Sequence, residues 1–415
     1  MIKNQVKRIS CCRICNNSKL KKIISLGSTP LANAFLKRQQ LHIKESSFPL
    51  KVYFCPECYL LQLGHVVSGK LMFTNYLYKS STSPVFIKHF ENYACDVSKK
   101  FKLNQNSLVV DIGSNDGILL KPFKKLGVGV LGVDPAIEIS RQATKDGLET
   151  IPAFFNHKLA EGIRKKYGCA DVITANNVFA HVNDVEELIK AVKSLLKKDG
   201  IFVIEVPYLV DFLQKRLFDT IYHEHLSYFS ISPLKVLFNM FQMSIFDVRR
   251  VDSHGGSIRV FIKNMDSKQR IKKSVNNLIK LERKLKLDKL ETYIEFAHKI
   301  EENKQRLILL LKKIKADKKT IVGYGAAAKA NTLLNYFNID QNTLDYIVDD
   351  SPLKQNLYTP GTHIPVVSSR RLLSDKPDYI LILAWNFADS IIKRYLSYKK
   401  RGGHFILPVP KPQII

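Results

Sequence analysis

The spacing of apolar positions changes along the chain, and each change marks a region. Residues 1–70 carry short apolar runs broken by cysteines and turn residues, a pattern of short strands. Residues 71–265 alternate apolar runs with amphipathic stretches, as a doubly wound α/β domain does. The runs Leu108–Ile112, Gly129–Val133, Asp171–Ala175 and Gly200–Val206 read as strands buried on both faces. Between them, Val185, Leu188, Ile189, Val192, Leu195 and Leu196 share one helical face, which predicts a helix from Val185 to about Lys197 that stops before Asp199–Gly200. Residues 266–318 contain neither proline nor glycine, and apolar residues recur at helical spacing from Ile271 to Leu281 and from Tyr293 to Leu311. One or two connecting helices are expected there. Residues 319–415 return to strand–helix alternation, with a strand expected at Leu344–Val348.

A chain of 415 residues is long enough for two or three domains with substantial cores. No apolar run approaches the roughly 18–20 residues that span a bilayer, and the N-terminal stretch has no apolar signal core, so a cytoplasmic protein without a membrane partner is expected. The formal charge is +28, from 65 Lys and Arg against 37 Asp and Glu. The excess is mostly lysine and is spread along the chain, with no arginine-rich arm. That distribution favours a solvated surface, or a field that attracts a small phosphorylated molecule, over a nucleic-acid groove.

The segment VVDIGSNDGILL, residues 109–120, is an apolar strand that ends in a glycine turn before a helix. Gly113 and Gly117 bracket the turn, and Asp111 is placed to hold the amino-acid portion of a cofactor. The pattern is not G-x-G-x-x-G, which weakens a nicotinamide reading. Asp134, 23 residues after Asp111, ends the next strand, where a carboxylate accepts hydrogen bonds from ribose hydroxyls. Together these segments match the nucleotide site of a class I methyltransferase that uses S-adenosyl-L-methionine, with Asn115 and Asn177 as further cofactor-binding candidates.

Seven cysteines without a signal segment argue against a disulfide framework. CRIC at 12–15 and CPEC at 55–58 are two C-x2-C knuckles, and Cys12, Cys15, Cys55 and Cys58 supply four thiolates for a structural zinc with no open position. In TIYHEHLSYFS, residues 220–230, Tyr222, His223, Glu224 and His225 cluster proton-handling groups, and the spacing is not that of H-E-x-x-H. His181, in NNVFAHV, follows a strand at the ligand-binding end of the sheet. VGYGAAAKA, residues 322–330, reads as strand, glycine turn and helix start, with Gly325 and Lys329 suited to a phosphate.

These motifs, with LGSTPLANAF, HGGSIRVF and DDSPLKQNLYTPGTHIPV, stand in the order found in a known family. The chain resembles the C-methyltransferases of nucleotide-linked ketodeoxysugars over nearly its whole length. The resemblance implies an α/β protein with a central Rossmann-like methyltransferase domain at 71–265, a zinc-binding β domain at 1–70, a helical connector at 266–318 and a C-terminal Rossmann-like domain at 319–415 that binds the nucleotide sugar. It implies His225 as general base, with Tyr222, Glu224, His181 and Tyr76 beside it. Gly325, Lys329, Lys354 and Tyr358 are the expected substrate-binding residues, the partner is a dTDP- or GDP-linked keto sugar, and a monomer is expected. A 4-keto sugar has acidified hydrogens next to its carbonyl, so a base and an oxyanion donor suffice to prepare carbon for methylation at C3 or C5. The other readings are an O- or N-methyltransferase on a related sugar, an RNA-binding methyltransferase, and a degenerate, non-catalytic protein of a carbohydrate pathway.

Overall fold

The computed structural model describes residues 5–73, 81 and 84–415. Its central sheet has seven strands, ordered Met243–Val251, Ser257–Asn264, Leu196–Pro207, Ala170–Asn176, Leu108–Ile112, Gly129–Val133 and Thr150–Ile151. All run parallel except Ser257–Asn264, which is antiparallel to both neighbours. The strand order reverses beside Leu108–Ile112, so a crevice opens at that strand's carboxyl end. This is the Rossmann-like α/β fold of class I methyltransferases.

Local chemistry explains the helices that flank the sheet. Asp184 caps Val185–Leu195 by accepting the Glu187 amide, and Asn156 caps His157–Tyr167 by accepting the Leu159 amide. The apolar face of Val185–Leu195 is buried as expected. The helix stops at Leu195, two residues short of the expected end, because Leu196 already pairs with Ala170 as a strand residue. The register then shifts between Leu196 and Ile201, and a Cβ on Gly200 would lie 3.0 Å from the Ala170 carbonyl oxygen. Asp199–Gly200 therefore marks an irregularity inside the strand and not the end of the helix.

The N-terminal region forms an antiparallel sheet of Lys21–Thr29, Phe48–Phe54 and Leu61–Leu63. Its fourth strand, Ser227–Tyr228, comes from the middle of the chain and pairs with Gln62 and Leu61. The C-terminal region has a six-stranded sheet, ordered Val366–Ser368, Ile347–Asp349, Ile321–Tyr324, Tyr379–Ile382, His404–Leu407 and Gln413–Ile414. Its five longer strands are parallel. The second of its strands in chain order begins at Ile347 and not at Leu344; the buried Leu344 and Tyr346 lead into it. No helix among the described residues is long and apolar enough to cross a membrane.

Two helices, Lys273–Lys284 and Leu290–Ala316, connect the central sheet to the C-terminal sheet. Glu282 of the first is buried and caps a helix of the central domain, Ile231–Met240. Its Oε1 accepts the Ile231 amide at 2.6 Å and the Tyr208 hydroxyl at 3.0 Å, and its Oε2 accepts the Ser232 amide and hydroxyl at 3.0 and 2.7 Å. Glu282→Ala leaves those donors buried and is expected to cost about 2 kcal/mol. Thermal melts should show a lower midpoint for the central domain; an unchanged midpoint would mean that the cap contributes nothing.

Candidate active site

The strand Leu108–Ile112 delivers Asp111 to the crevice and then turns at Gly113. Gly113 has φ +69°, and a Cβ there would lie 2.2 Å from Val178 Cγ2, so only glycine passes. Asp111 is buried and accepts the Thr174 hydroxyl at 2.5 Å. Burial pushes its carboxyl up to about 7; the Thr174 bond opposes the rise and the Asp134 charge adds to it. Asp134 ends the neighbouring strand, and burial raises its carboxyl too. Its Oδ2 accepts the Asn115 amide at 2.9 Å and its Oδ1 the Ala136 amide at 2.8 Å.

Beside these acids, the Ser114 hydroxyl and Asn177 Oδ1 are buried and have no hydrogen-bond partner among the described residues. Buried polar atoms are normally satisfied, so these two await a ligand. A pair of carboxylates with unsatisfied polar atoms over a glycine turn fits the ammonium, carboxylate and ribose of S-adenosyl-L-methionine.

After Asn176 the chain forms a short 3-10 turn, Phe179–His181, anchored by the fully buried Phe179 ring against Phe202, Phe229 and Phe238. The turn presents His181, whose ring stacks on Phe73 at 5.8 Å and on His225 at 5.1 Å. Tyr222 also packs against His225, with ring centroids 4.0 Å apart. His225 Nδ1–H donates to the Thr220 carbonyl at 2.7 Å, which leaves Nε2 as the basic nitrogen of the neutral ring. Glu224 is buried at the cleft and accepts the amide of Asn33, from the N-terminal region, at 2.7 Å. His223 points the other way. It donates to the Phe48 carbonyl at 3.0 Å, and burial holds its pKa down to about 4, so it is a neutral packing residue.

The opposite wall comes from the C-terminal sheet. Lys329 lies near the start of the helix Ala328–Phe337 and donates to Asn386 Oδ1 at 2.7 Å. Its ammonium sits 4.3 Å from the Trp385 ring centre, and burial lowers it to about 8 against the pull of Asp219. Lys354 donates to the Ala326 carbonyl at 2.8 Å.

One cleft of about 730 Å³ is lined by Asp111, Gly113, Asn115, Asp134, Asn177, His181, Tyr222, Glu224, His225, Lys329 and Lys354. Three expected site residues do not line it. Gly117 has φ +75° and packs against Leu148. Gly325 lies against Ala384, which a Cβ would meet at 2.5 Å. Tyr358 makes backbone bridges to Leu36 and Pro365. The signatures of the two glycines include turn geometry and close packing. Tyr76 lies outside the described residues. The sequence reading missed Asn33, Asn386 and Ser114, which border the same cleft; Asn33 stands inside the LGSTPLANAF motif and Ser114 inside VVDIGSNDGILL, while Asn386 has no such signal.

At the N-terminal end, the sulfurs of Cys12, Cys15, Cys55 and Cys58 all lie within 4.8 Å of one another. Cys12 and Cys58 are 3.4 Å apart, and Cys15 and Cys55 are 3.5 Å apart. A tetrahedral zinc with bonds of roughly 2.3 Å needs sulfurs at about 3.8 Å, so the cluster fits zinc after a small expansion. Four thiolates leave no open position, which makes the site structural.

The sheet order, glycine turn and paired acids define a class I S-adenosylmethionine-dependent methyltransferase. Family models match a zinc binding domain at residues 12–73, a methyltransferase domain at 86–245 and a C-methyltransferase C-terminal domain at 252–410. The chain is 37% identical over 410 residues to the C-methyltransferase NovU of Streptomyces niveus, covering 99% of this chain and 98% of that one. It belongs to this C-methyltransferase family. The ubiquinone biosynthesis O-methyltransferase of Rhodopseudomonas palustris is 30% identical, over 29% of this chain and 50% of its own length. Among solved structures, the magnesium protoporphyrin IX methyltransferase of Synechocystis matches 43% of this chain and 81% of its own, at 13% identity and a TM-score of 0.33.

Two outcomes are expected. Purified protein should carry about one zinc per chain, and chelation should abolish methyl transfer while S-adenosylhomocysteine still binds, because the metal holds only the Asn33 side of the cleft. Separately, an ammonium group bound by Asp111 requires the carboxylate form. Burial raises the free carboxyl to about 7, so affinity for S-adenosylhomocysteine should fall, by up to roughly tenfold per unit, as pH drops below that value, and should hold above it until the ligand's own α-ammonium loses its proton. Calorimetry across pH checks this, and Asp111→Asn should remove the slope.

Proposed function

We propose that this C-methyltransferase deprotonates a carbon next to the ketone of a nucleotide-linked 4-keto-deoxysugar and methylates it. One observation carries the reading: the methyl-donor turn, His225 and two lysines border a single cleft. S-adenosyl-L-methionine, when bound, supplies an electrophilic methyl group. Asp111 and Asp134 hold its amino-acid and ribose ends.

His225 is the general base in this reading. Thr220 fixes its Nδ1–H, so Nε2 takes the α-proton of the sugar. The Tyr222 hydroxyl donates to the enolate oxygen that develops on the ketone. Glu224, oriented by Asn33, accepts a sugar hydroxyl and sets the face presented to the base. Lys329 and Lys354, with the start of the helix Ala328–Phe337, take the diphosphate of the carrier, where positive charge and helix amides converge. The full-length likeness to a C-methyltransferase favours carbon over oxygen as the acceptor.

A panel of dTDP- and GDP-linked 4-keto sugars, assayed by mass spectrometry, tests the substrate class: a gain of one methyl on at least one of them is expected. No product, and no thermal stabilisation by any nucleoside diphosphate, would sink the reading. With an accepted sugar in deuterated water, His225→Ala should abolish exchange of the α-proton and leave S-adenosylhomocysteine binding intact. Persistent exchange assigns the base elsewhere.

A further inference from the structure

The ring that would act as base is held by a main-chain carbonyl, and that carbonyl belongs to a short turn with unusual support. The turn, Phe218–Thr220, precedes Tyr222 and His225. Phe218 is fully buried, and its ring stacks on Phe337 of the C-terminal region at 5.0 Å. Asp219 is fully buried as well. The indole N–H of Trp385, also from the C-terminal region, donates to Asp219 Oδ2. A carboxylate at no exposure is costly unless it is paired and hydrogen-bonded. Burial pushes Asp219 up to about 6 while the facing charge of Lys329 and the Trp385 bond oppose the rise.

Trp385 is itself fixed on three sides. Its N–H is spent on Asp219. Lys329 stands over its ring at 4.3 Å. A Cβ on Gly255 would come within 2.8 Å of Trp385 Cη2, so the glycine in HGGSIRVF makes room for the indole.

The geometry points to Trp385 and Asp219 as positioning residues for the methyl-transfer reaction: the Trp385–Asp219 hydrogen bond locks the Phe218–Thr220 turn so that the Thr220 carbonyl holds His225 in its Nδ1–H tautomer. The Lys329 wall and the base then share one support, and seating an anionic group at Lys329 leaves the indole clamped. The inference rests on reading His225 as the base, and its test separates the two.

The full-length protein labelled with 15N-histidine gives a tautomer signature for each of its 11 histidines, and the His225 signals are identified by their loss in His225→Gln. Trp385→Phe keeps an aromatic ring but removes the N–H together with the pyrrole half of the indole, and Asp219→Ala removes the acceptor while leaving the indole in place. Trp385→Phe is expected to convert the His225 signature to a mixture of tautomers, with S-adenosylhomocysteine affinity within about twofold of the parent. Asp219→Ala should do the same, whereas Asp219→Asn, which keeps an oxygen acceptor, should retain the parent signature. With an accepted 4-keto sugar, Trp385→Phe should lower kcat roughly 10- to 100-fold with KM within about threefold. An unchanged His225 signature in both Trp385→Phe and Asp219→Ala overturns the proposal, as does loss of the signature in Asp219→Asn. If His225 is not the base, His225→Ala keeps α-proton exchange while the tautomer shift in Trp385→Phe still occurs, so the two failures are distinct.

Discussion

The segment from Phe218 to Phe229 must satisfy three domains at once, and the geometry of the cleft follows from that constraint. Phe218 is packed by the C-terminal helix Ala328–Phe337, and Asp219 is held by Trp385. Leu226 donates its amide to the Ala180 carbonyl of the central domain, and its own carbonyl accepts the Leu63 amide and the Arg13 guanidinium of the N-terminal region. Ser227–Tyr228 then becomes the edge strand of the zinc-bearing sheet. Phe229 returns to the central core against Phe179. Between these anchors, His223 turns towards Phe48, while Tyr222, Glu224 and His225 turn to the cleft. None of the three domains can shift relative to the others without moving those side chains. A zinc held by Cys12, Cys15, Cys55 and Cys58 would act on the site at a distance, since Arg13 lies between two of those cysteines and donates to the Leu226 carbonyl.

The central domain carries its own internal pin. Glu205 is fully buried, and its Oε2 accepts two bonds from Arg259 at 2.9 and 3.0 Å. Its Oε1 meets His89 and the Ser253 hydroxyl, each at 2.8 Å. Burial alone would raise this carboxyl; His89 and Arg259 overcome it and hold Glu205 at about 2. Removing one partner from such a pair costs about 3–5 kcal/mol, since a lone buried charge remains. The pair sits where it affects the cofactor crevice, because the Glu205 carbonyl accepts the Asn177 amide at 2.8 Å. His89 lies on the helix Pro84–Phe101, whose Phe86 and Phe90 border the cleft, so the same ion pair ties that wall to the sheet.

What the sequence disclosed was whatever short-range chemistry imposes. Parallel strands buried on both faces appear as apolar runs, so Leu108–Ile112 and Gly129–Val133 were legible to the residue. The cysteine knuckles were legible because thiolate ligation demands a fixed local spacing. Asp111 and Asp134 were legible as acids at the ends of such strands, and His225 as part of a cluster of proton-handling residues. The pairing of Ser227 with Gln62 was not, because a two-residue strand has no periodicity and its partner lies far away in sequence. Asn33 and Trp385 were hidden for the same reason: each acts on a residue remote in the chain, Glu224 and Asp219 respectively. Gly117 and Gly325 have positive φ and tight neighbours, and neither lines the cleft, so turn geometry and packing contribute to both signatures.

The two Rossmann-like sheets show how one backbone plan is given opposite chemical sense. In the central domain, Asp134 ends the second strand and accepts amides from the glycine turn and from the residue two places on. In the C-terminal domain, Asp349 does the same with Ala326 at 2.7 Å and Ser351 at 2.8 Å. If Gly113 is set against Gly325, Asp111 corresponds to Gly323. No acid fits at that place, since a Cβ on Gly323 would lie 2.8 Å from Ile347 Cγ1. The C-terminal turn instead faces the cleft with Lys329 and Lys354. Asp349 is engaged by backbone amides and lies 4.0 Å from Lys354, with which it forms an ion pair. The fold alone chooses no ligand. A few side chains give one wall its paired acids and the other its lysines, and the segment shared by all three regions brings His225 to the same cleft.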